Sequence, residues 1–119
     1  MRILLAEHHQ KVLKPLRILI TETTEHEVTV EVKDWAALLK EITQTNPDLV
    51  LLDWDLPGRT EKKCIAALRT PDSRPKVIVL STHDEVKAQA LEAGANNFVS
   101  KGTSPLKLIE AIQAIAKEL

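Results

Sequence analysis

Pro47-Asp48-Leu49-Val50-Leu51-Leu52-Asp53-Trp54-Asp55-Leu56-Pro57-Gly58 drives four consecutive apolar residues straight into a carboxylate. A short apolar run with turn residues on both sides reads as a buried strand. That strand ends at Asp53, so an acid stands where the sheet opens to solvent. In open α/β sheets the carboxyl ends of the strands are where ligands bind.

Working outward, Arg2-Ile3-Leu4-Leu5-Ala6 is a second apolar run, stopped by Glu7-His8-His9, and reads as a buried strand followed by a polar loop. Val12, Leu13, Leu16, Leu19 and Ile20 then recur at helical spacing. Pro15 lies inside that helix, where it removes a donor and crowds the carbonyl of Lys11, so the helix is expected to start late or bend. Val28, Val30 and Val32 alternate with Thr29 and Glu31, the pattern of a half-exposed edge strand. Asp34 is placed to cap a helix running to about Gln44.

After Asp53 the chain turns through Pro57-Gly58, and a helix capped near Thr60 is expected to carry Cys64, Ile65 and Leu68 on one side. Val77-Ile78-Val79-Leu80 reads as a strand ending at Ser81-Thr82, and Asp84 opens a helix that Gly94 closes. Asn97-Phe98-Val99-Ser100 is the last strand, ending at Lys101-Gly102. Ser104-Pro105 joins a hydroxyl cap to a proline at the first helical position, opening a helix to about Lys117. Five strands alternating with five helices require a parallel sheet covered on both faces.

Every polar outlier follows a strand: Glu7 and His8, Asp53 with Asp55, Ser81, and Lys101. Parallel strands bring these ends to one edge, where carboxylate, hydroxyl and ammonium converge. The set suits an anionic group bound at Asp53. Lys101 offers charge, Ser81 a donor, and Asp53 an anchor or nucleophile.

Bulk properties narrow the function. The 119 residues are expected to form one domain, 1–119, able to bury roughly two-thirds of the unfolded surface without disulfide or metal. The one cysteine, Cys64, excludes an internal disulfide framework, and no signal-peptide pattern opens the chain, so the expected setting is a reducing cytoplasm. Sixteen Lys and Arg against seventeen Asp and Glu give a formal charge of -1, which leaves no electrostatic footprint for nucleic acid or an anionic membrane. The three glycines, Gly58, Gly94 and Gly102, assemble no glycine-rich phosphate loop, which excludes a dinucleotide-binding fold.

With these residues in place, the chain resembles a response-regulator receiver domain of two-component phosphorelay signalling along nearly its whole length. The family's acceptor pattern, an apolar strand followed by D-x-x-[LM]-P, is matched by Asp53-Trp54-Asp55-Leu56-Pro57. Its hydroxyl after the fourth strand is matched by Ser81, its Ala-Gly-Ala by Ala93-Gly94-Ala95, its switch aromatic by Phe98 and its lysine by Lys101. The resemblance implies a doubly wound, flavodoxin-like α/β fold, a five-stranded parallel sheet of order 2-1-3-4-5 with five helices, and a signalling role rather than an enzyme. It implies that Asp53 takes a phosphoryl group from a kinase phosphohistidine or a small phosphodonor, that Ser81 binds a phosphoryl oxygen, and that Lys101 pairs with the anion. Movement of Ser81 and Phe98 would then reshape the face built by the fourth helix, fifth strand and fifth helix. The implied partners are a sensor histidine kinase or phosphotransfer protein and a downstream effector protein or output domain. Lys101-Gly102-Thr103-Ser104-Pro105 is similar to receivers that carry helix-turn-helix outputs, although no such output is expected within these residues. The family often dimerises through its last helices, so a homodimer is compatible with the resemblance.

Three departures stand out. The family normally has two acids after the first strand. The second ligates Mg²⁺ together with the acceptor and the backbone carbonyl two residues beyond it, here that of Asp55. These two positions read Glu7 and His8. Glu7 keeps an oxygen for a metal-bound water, but imidazole is a poor ligand for Mg²⁺, which prefers oxygen in octahedral geometry. Weakened Mg²⁺ binding is expected, and with it a loss of charge stabilisation for phosphoryl transfer. Glu61 replaces the usual turn glycine before the third helix, and Gly102 stands where many members carry a proline.

His8 leaves three readings open. It is a loop residue in a pseudo-receiver that binds partners without phosphorylation, or an imidazolium supplying a fixed cation beside Glu7 and Asp53, or a ligand with Asp53 and Glu7 to a softer metal such as Zn²⁺ or Mn²⁺. His9 and His26 read as solvent-facing, Trp54 as packing beside the acceptor loop, and Trp35 as a helix–sheet contact. The Asp55 side chain reads as a tuner of phosphoryl lifetime or as a solvated acid. Asp53-Trp54-Asp55 also satisfies the Asp-x-Asp of haloacid-dehalogenase-like phosphatases. Against that, Pro57 stands where those enzymes carry Thr or Val, and no acid follows Lys101 until Glu110.

Overall fold

The computed structural model describes residues 1–60 and 65–119 and contains strands β1 (Arg2–Ala6), β2 (Glu27–Val32), β3 (Leu49–Asp53), β4 (Lys76–Ser81) and β5 (Asn97–Ser100). All pairings are parallel and the order is β2-β1-β3-β4-β5, as expected, so the run ending in Asp53 is the central strand. Every residue of β3 is buried. β2 lies at the edge and is only half-buried along most of its length, which its alternating valines anticipate.

Alternation of side chains divides the core into two layers. Leu4, Ala6, Val50, Leu52, Val77 and Val79 lie on one face with Trp35, Leu38 and Ile42 of α2 (Trp35–Thr45). Ile3, Leu5, Leu49, Leu51, Ile78 and Leu80 lie on the other with Leu13 and Ile20 of α1 (Gln10–Thr23) and Leu108, Ile112 and Ile115 of α4 (Pro105–Glu118). Burying one such side chain contributes about 1.5–3 kcal/mol, so the apolar strands dominate the choice of fold. Trp35 makes the expected helix–sheet contact, with its indole N–H buried and unpartnered among the described residues.

The expected caps are present. Asp34 Oδ1 accepts from Ala37 N at 2.8 Å, and Ser104 Oγ accepts from Leu106 N at 3.2 Å ahead of Pro105. α1 begins at Gln10 and continues through Pro15, so the late start does not occur. Lys11 and Pro15 are both exposed, which lets water reach the carbonyl that Pro15 leaves without a donor.

Four α-helices occur among the described residues, where five were expected; the remaining one is α3 (Lys87–Glu92). The helix expected near Thr60 is represented by a four-residue 3₁₀ segment, Ile65–Leu68, with Ile65 and Leu68 buried. Cys64 and Glu61 lie outside the described residues. The segment stops where Thr70 and Ser73 bridge across a turn containing Pro71. Arg69 then staples it to the sheet, donating to Pro75 O at 3.2 Å, Gly94 O at 2.8 Å and Asn96 Oδ1 at 2.7 Å. The helix opened by Asp84 begins as a 3₁₀ turn, Asp84–Val86, and ends before Gly94 at φ +111, a conformation glycine adopts without steric cost. His26 is buried rather than solvent-facing: Nε2 pairs with Gln113 Oε1 at 3.0 Å and Nδ1 with the Met1 nitrogen at 2.8 Å.

Candidate functional site

The register sets the site. Ala6 pairs with Leu52 and Asp53 with Leu80, so Glu7, Asp53 and Ser81 follow one another along the carboxyl edge of the sheet. Lys101 N donates to Ser81 O at 2.8 Å and brings the lysine to the same edge. Glu7, Asp53 and Ser81 are buried.

A lysine and a histidine divide the two acids between them. Lys101 Nζ lies 2.9 Å from Glu7 Oε2 and 3.2 Å from Asp53 Oδ1. His8 Nδ1 lies 2.5 Å from Asp53 Oδ2 and 4.0 Å from Glu7 Oε1. Backbone amides complete the frame: Asp55 N donates to Asp53 Oδ1 at 3.0 Å and His9 N to Glu7 Oε1 at 3.1 Å. Lys101 thus meets one oxygen of each acid.

The surroundings push the two carboxyls apart. Burial raises the Glu7 pKa, aided by the charge of Asp53 and only partly countered by Lys101 and the His9 amide. Burial also acts to raise Asp53, but the Asp55 amide, Lys101, Glu7 and His8 outweigh it and hold its carboxyl below the usual range. Asp53 is therefore the ionised member, and Glu7 is the one that more readily keeps a proton.

Other expected residues stand around this quartet. Ser81 Oγ accepts from His83 N at 3.0 Å and makes no hydrogen bond to Asp53 among the described residues. Phe98 on β5 is half-buried against the core layer that contains α2. The Asp55 side chain is exposed. Trp54 is buried beside the loop that follows Asp53, with the Arg59 guanidinium 3.9 Å above its ring and Arg59 Nε donating to Trp54 O at 3.1 Å. That cation–π lid was not anticipated, since nothing in the spacing of Trp54 and Arg59 signals it. His9 is exposed, as expected, but its ring packs 3.8 Å from that of His8.

An acid at the end of a central strand, a lysine from the last strand and a hydroxyl between them define a doubly wound α/β signalling domain. The chain belongs to the response regulator receiver domain family, which it matches over residues 3–113. It is 34% identical over 116 residues to the sensory transduction protein RegX3 of Mycobacterium bovis, covering 97% of this chain and 50% of that protein. It is 30% identical over 94 residues to the phosphate regulon transcriptional regulatory protein PhoB of Escherichia coli, covering 76% of this chain and 41% of that protein. The solved signal receiver domain of NarL from Mycobacterium tuberculosis superposes with a TM-score of 0.87 at 28% identity, covering 98% of this chain and 95% of that one. The chain thus spans half or less of the length of these two sequence relatives. Among the described residues, no helix is long and apolar enough to cross a membrane.

The donor set does not fit the family's Mg²⁺. The position of the second acid presents the nitrogen of His8, already hydrogen-bonded to Asp53, and Lys101 occupies one oxygen of each acid. Mg²⁺ takes oxygen ligands near 2.1 Å and gives up water reluctantly.

Proposed function

We propose that this domain acts in a two-component phosphorelay as a phosphoacceptor at Asp53, with its dependence on Mg²⁺ weakened by His8. The observation that carries this reading is the Asp53 carboxyl group held at the sheet edge between Lys101 and the Asp55 amide, both of which favour its ionised form. A carboxylate oxygen attacks the phosphorus of a donor phosphohistidine. The new O–P bond forms as the P–N bond breaks, and the imidazole leaves with the electron pair. Lys101 balances the charge of the resulting acyl phosphate, and Ser81, whose oxygen accepts from His83 N, retains its own proton to donate to a phosphoryl oxygen.

The signal would leave through the face formed by α3, β5 and α4. A surface cavity of about 510 Å³ there includes Lys87, Phe98 and Lys107 in its lining. The donor is a sensor histidine kinase or phosphotransfer protein, and the recipient an effector protein or output domain. A phosphorylation-independent module is the second reading. It is favoured by one observation, that His8 and Lys101 already occupy both oxygens of Asp53 within the chain.

Intact-mass measurement after incubation with a small phosphodonor, with and without Mg²⁺, separates them. An adduct on the wild type that Asp53→Asn abolishes supports the phosphoacceptor. If the wild type never gains the adduct but His8→Asp does so with Mg²⁺, the module reading stands.

A further inference from the structure

The two acids of the site each keep one oxygen for Lys101 and turn the other towards histidine. Oε2 of Glu7 and Oδ1 of Asp53 meet the ammonium, while Oε1 and Oδ2 lie 4.0 Å and 2.5 Å from His8 Nδ1. One ligand atom from each of Glu7, His8, His9 and Asp53 lies within 4.8 Å of all the others. We infer that this cluster is a binding site for a late first-row divalent cation, with Zn²⁺ as its representative, in the place where the family uses Mg²⁺.

Chemistry and geometry both favour nitrogen-accepting ions here. Two imidazoles and two carboxylates match the N and O donors of Zn²⁺ sites, and affinity for imidazole rises along the first row towards copper and zinc. With bonds of about 2.0–2.2 Å, tetrahedral ligands stand roughly 3.4 Å apart, between the two His8 distances. The acids sit at the ends of packed strands, and the His9 amide fixes the loop to Glu7 Oε1 at 3.1 Å. His8 is only partly buried and His9 is exposed, which leaves a path from solvent to the acids beneath.

On binding, the His8–Asp53 hydrogen bond is exchanged for two metal bonds. Lys101 stays on the outer oxygens.

This inference rests on reading the cluster as the receiver's reactive site, but its test needs no phosphodonor. The metal-stripped chain, without a polyhistidine tag, is titrated with Zn²⁺ and with Mg²⁺ in competition with a chromophoric chelator. One Zn²⁺ per chain is expected, held at least about 100-fold more tightly than Mg²⁺. His8→Ala should weaken Zn²⁺ binding by about 30-fold or more, while His83→Ala, an exposed histidine outside the cluster, leaves it unchanged. If His8→Ala does not fold by circular dichroism, His9→Ala takes its place. X-ray absorption at the zinc edge should report imidazole scattering with bonds near about 2.0 Å. Failure to bind one equivalent of Zn²⁺, or equal binding by the folded histidine variants, overturns the inference. A phosphoryl adduct formed in chelator would then still uphold Asp53 as acceptor, just as stoichiometric Zn²⁺ without any adduct would uphold the metal site alone.

Discussion

His8 and Asp53, separated by 45 residues in sequence, meet at 2.5 Å because β1 and β3 pair in parallel with Ala6 opposite Leu52. The imidazole reaches Asp53 Oδ2 while Lys101 reaches Oδ1, so the Asp53 carboxylate is flanked by a nitrogen on either side. In a receiver built for Mg²⁺, one of those flanks carries an acid. The substitution exchanges a demand for external charge for a partner supplied by the chain.

Restoring the acid should restore the demand. His8→Asp places a third carboxylate in the cluster, lowering stability in metal-free buffer, and Mg²⁺ at about five times its dissociation constant should then return about 1 kcal/mol. Wild-type stability should not respond to the same Mg²⁺. Urea denaturation of both proteins with and without the ion checks this, and an equal Mg²⁺ response in the wild type would contradict it.

Lys101 spans both acids, and its side chain is only 11% exposed. Lys101→Ala leaves two buried carboxylates sharing His8, and breaking a buried pair on one side costs about 3–5 kcal/mol. A loss below about 1 kcal/mol in chemical denaturation would mean that solvent screens the pair more than its burial implies.

The readable parts of this fold are those set by local chemistry. The runs into Glu7, Asp53, Ser81 and Lys101 predict both the strands and their common edge, because a buried parallel strand leaves no ambiguity about where its polar end emerges. Asp34 and Ser104-Pro105 predict helix starts for the same local reason. What escapes the sequence depends on distant partners. His26 lies between Glu25 and Glu27 and looks solvated, yet its Nε2 partner, Gln113, is 87 residues away. His9 reads as an ordinary surface residue until its ring is found against that of His8. The short 3₁₀ segment at Ile65–Leu68 carries the apolar spacing of a helix, and nothing local announces that Arg69 anchors it to Pro75, Gly94 and Asn96.

That anchor is itself testable. Arg69→Met keeps the apolar stem and removes hydrogen bonds to two carbonyls and one amide oxygen, at an expected cost of about 2–3 kcal/mol. The loss should appear as faster amide exchange around Gly94 and Asn96, with exchange at the Asp53 edge unchanged. Uniform acceleration across the sheet would mean that the staple holds the whole fold rather than one corner.

Opposite shifts in the two acids give stability a characteristic pH dependence. Asp53 has its folded pKa held down, chiefly by the Asp55 amide and Lys101 against the effect of burial, so it stabilises the fold above its unfolded pKa. That contribution disappears as pH falls through the lower folded value. Glu7 has its folded pKa raised, chiefly by burial, so its folded form holds a proton longer than its unfolded form. Stability therefore falls as pH rises from the ordinary glutamate range through the raised folded value. Glu7→Gln removes that decline: near pH 4, where Glu7 is already protonated, it should match the wild type. Towards pH 8 it should equal or exceed the wild type, because the buried acid has by then lost the proton that its folded form holds longer. Thermal or urea unfolding of the two proteins from pH 4 to pH 8 measures the difference directly. A Gln variant that loses stability relative to the wild type as pH rises would mean that the Lys101–Glu7 charge contact outweighs the burial of the acid.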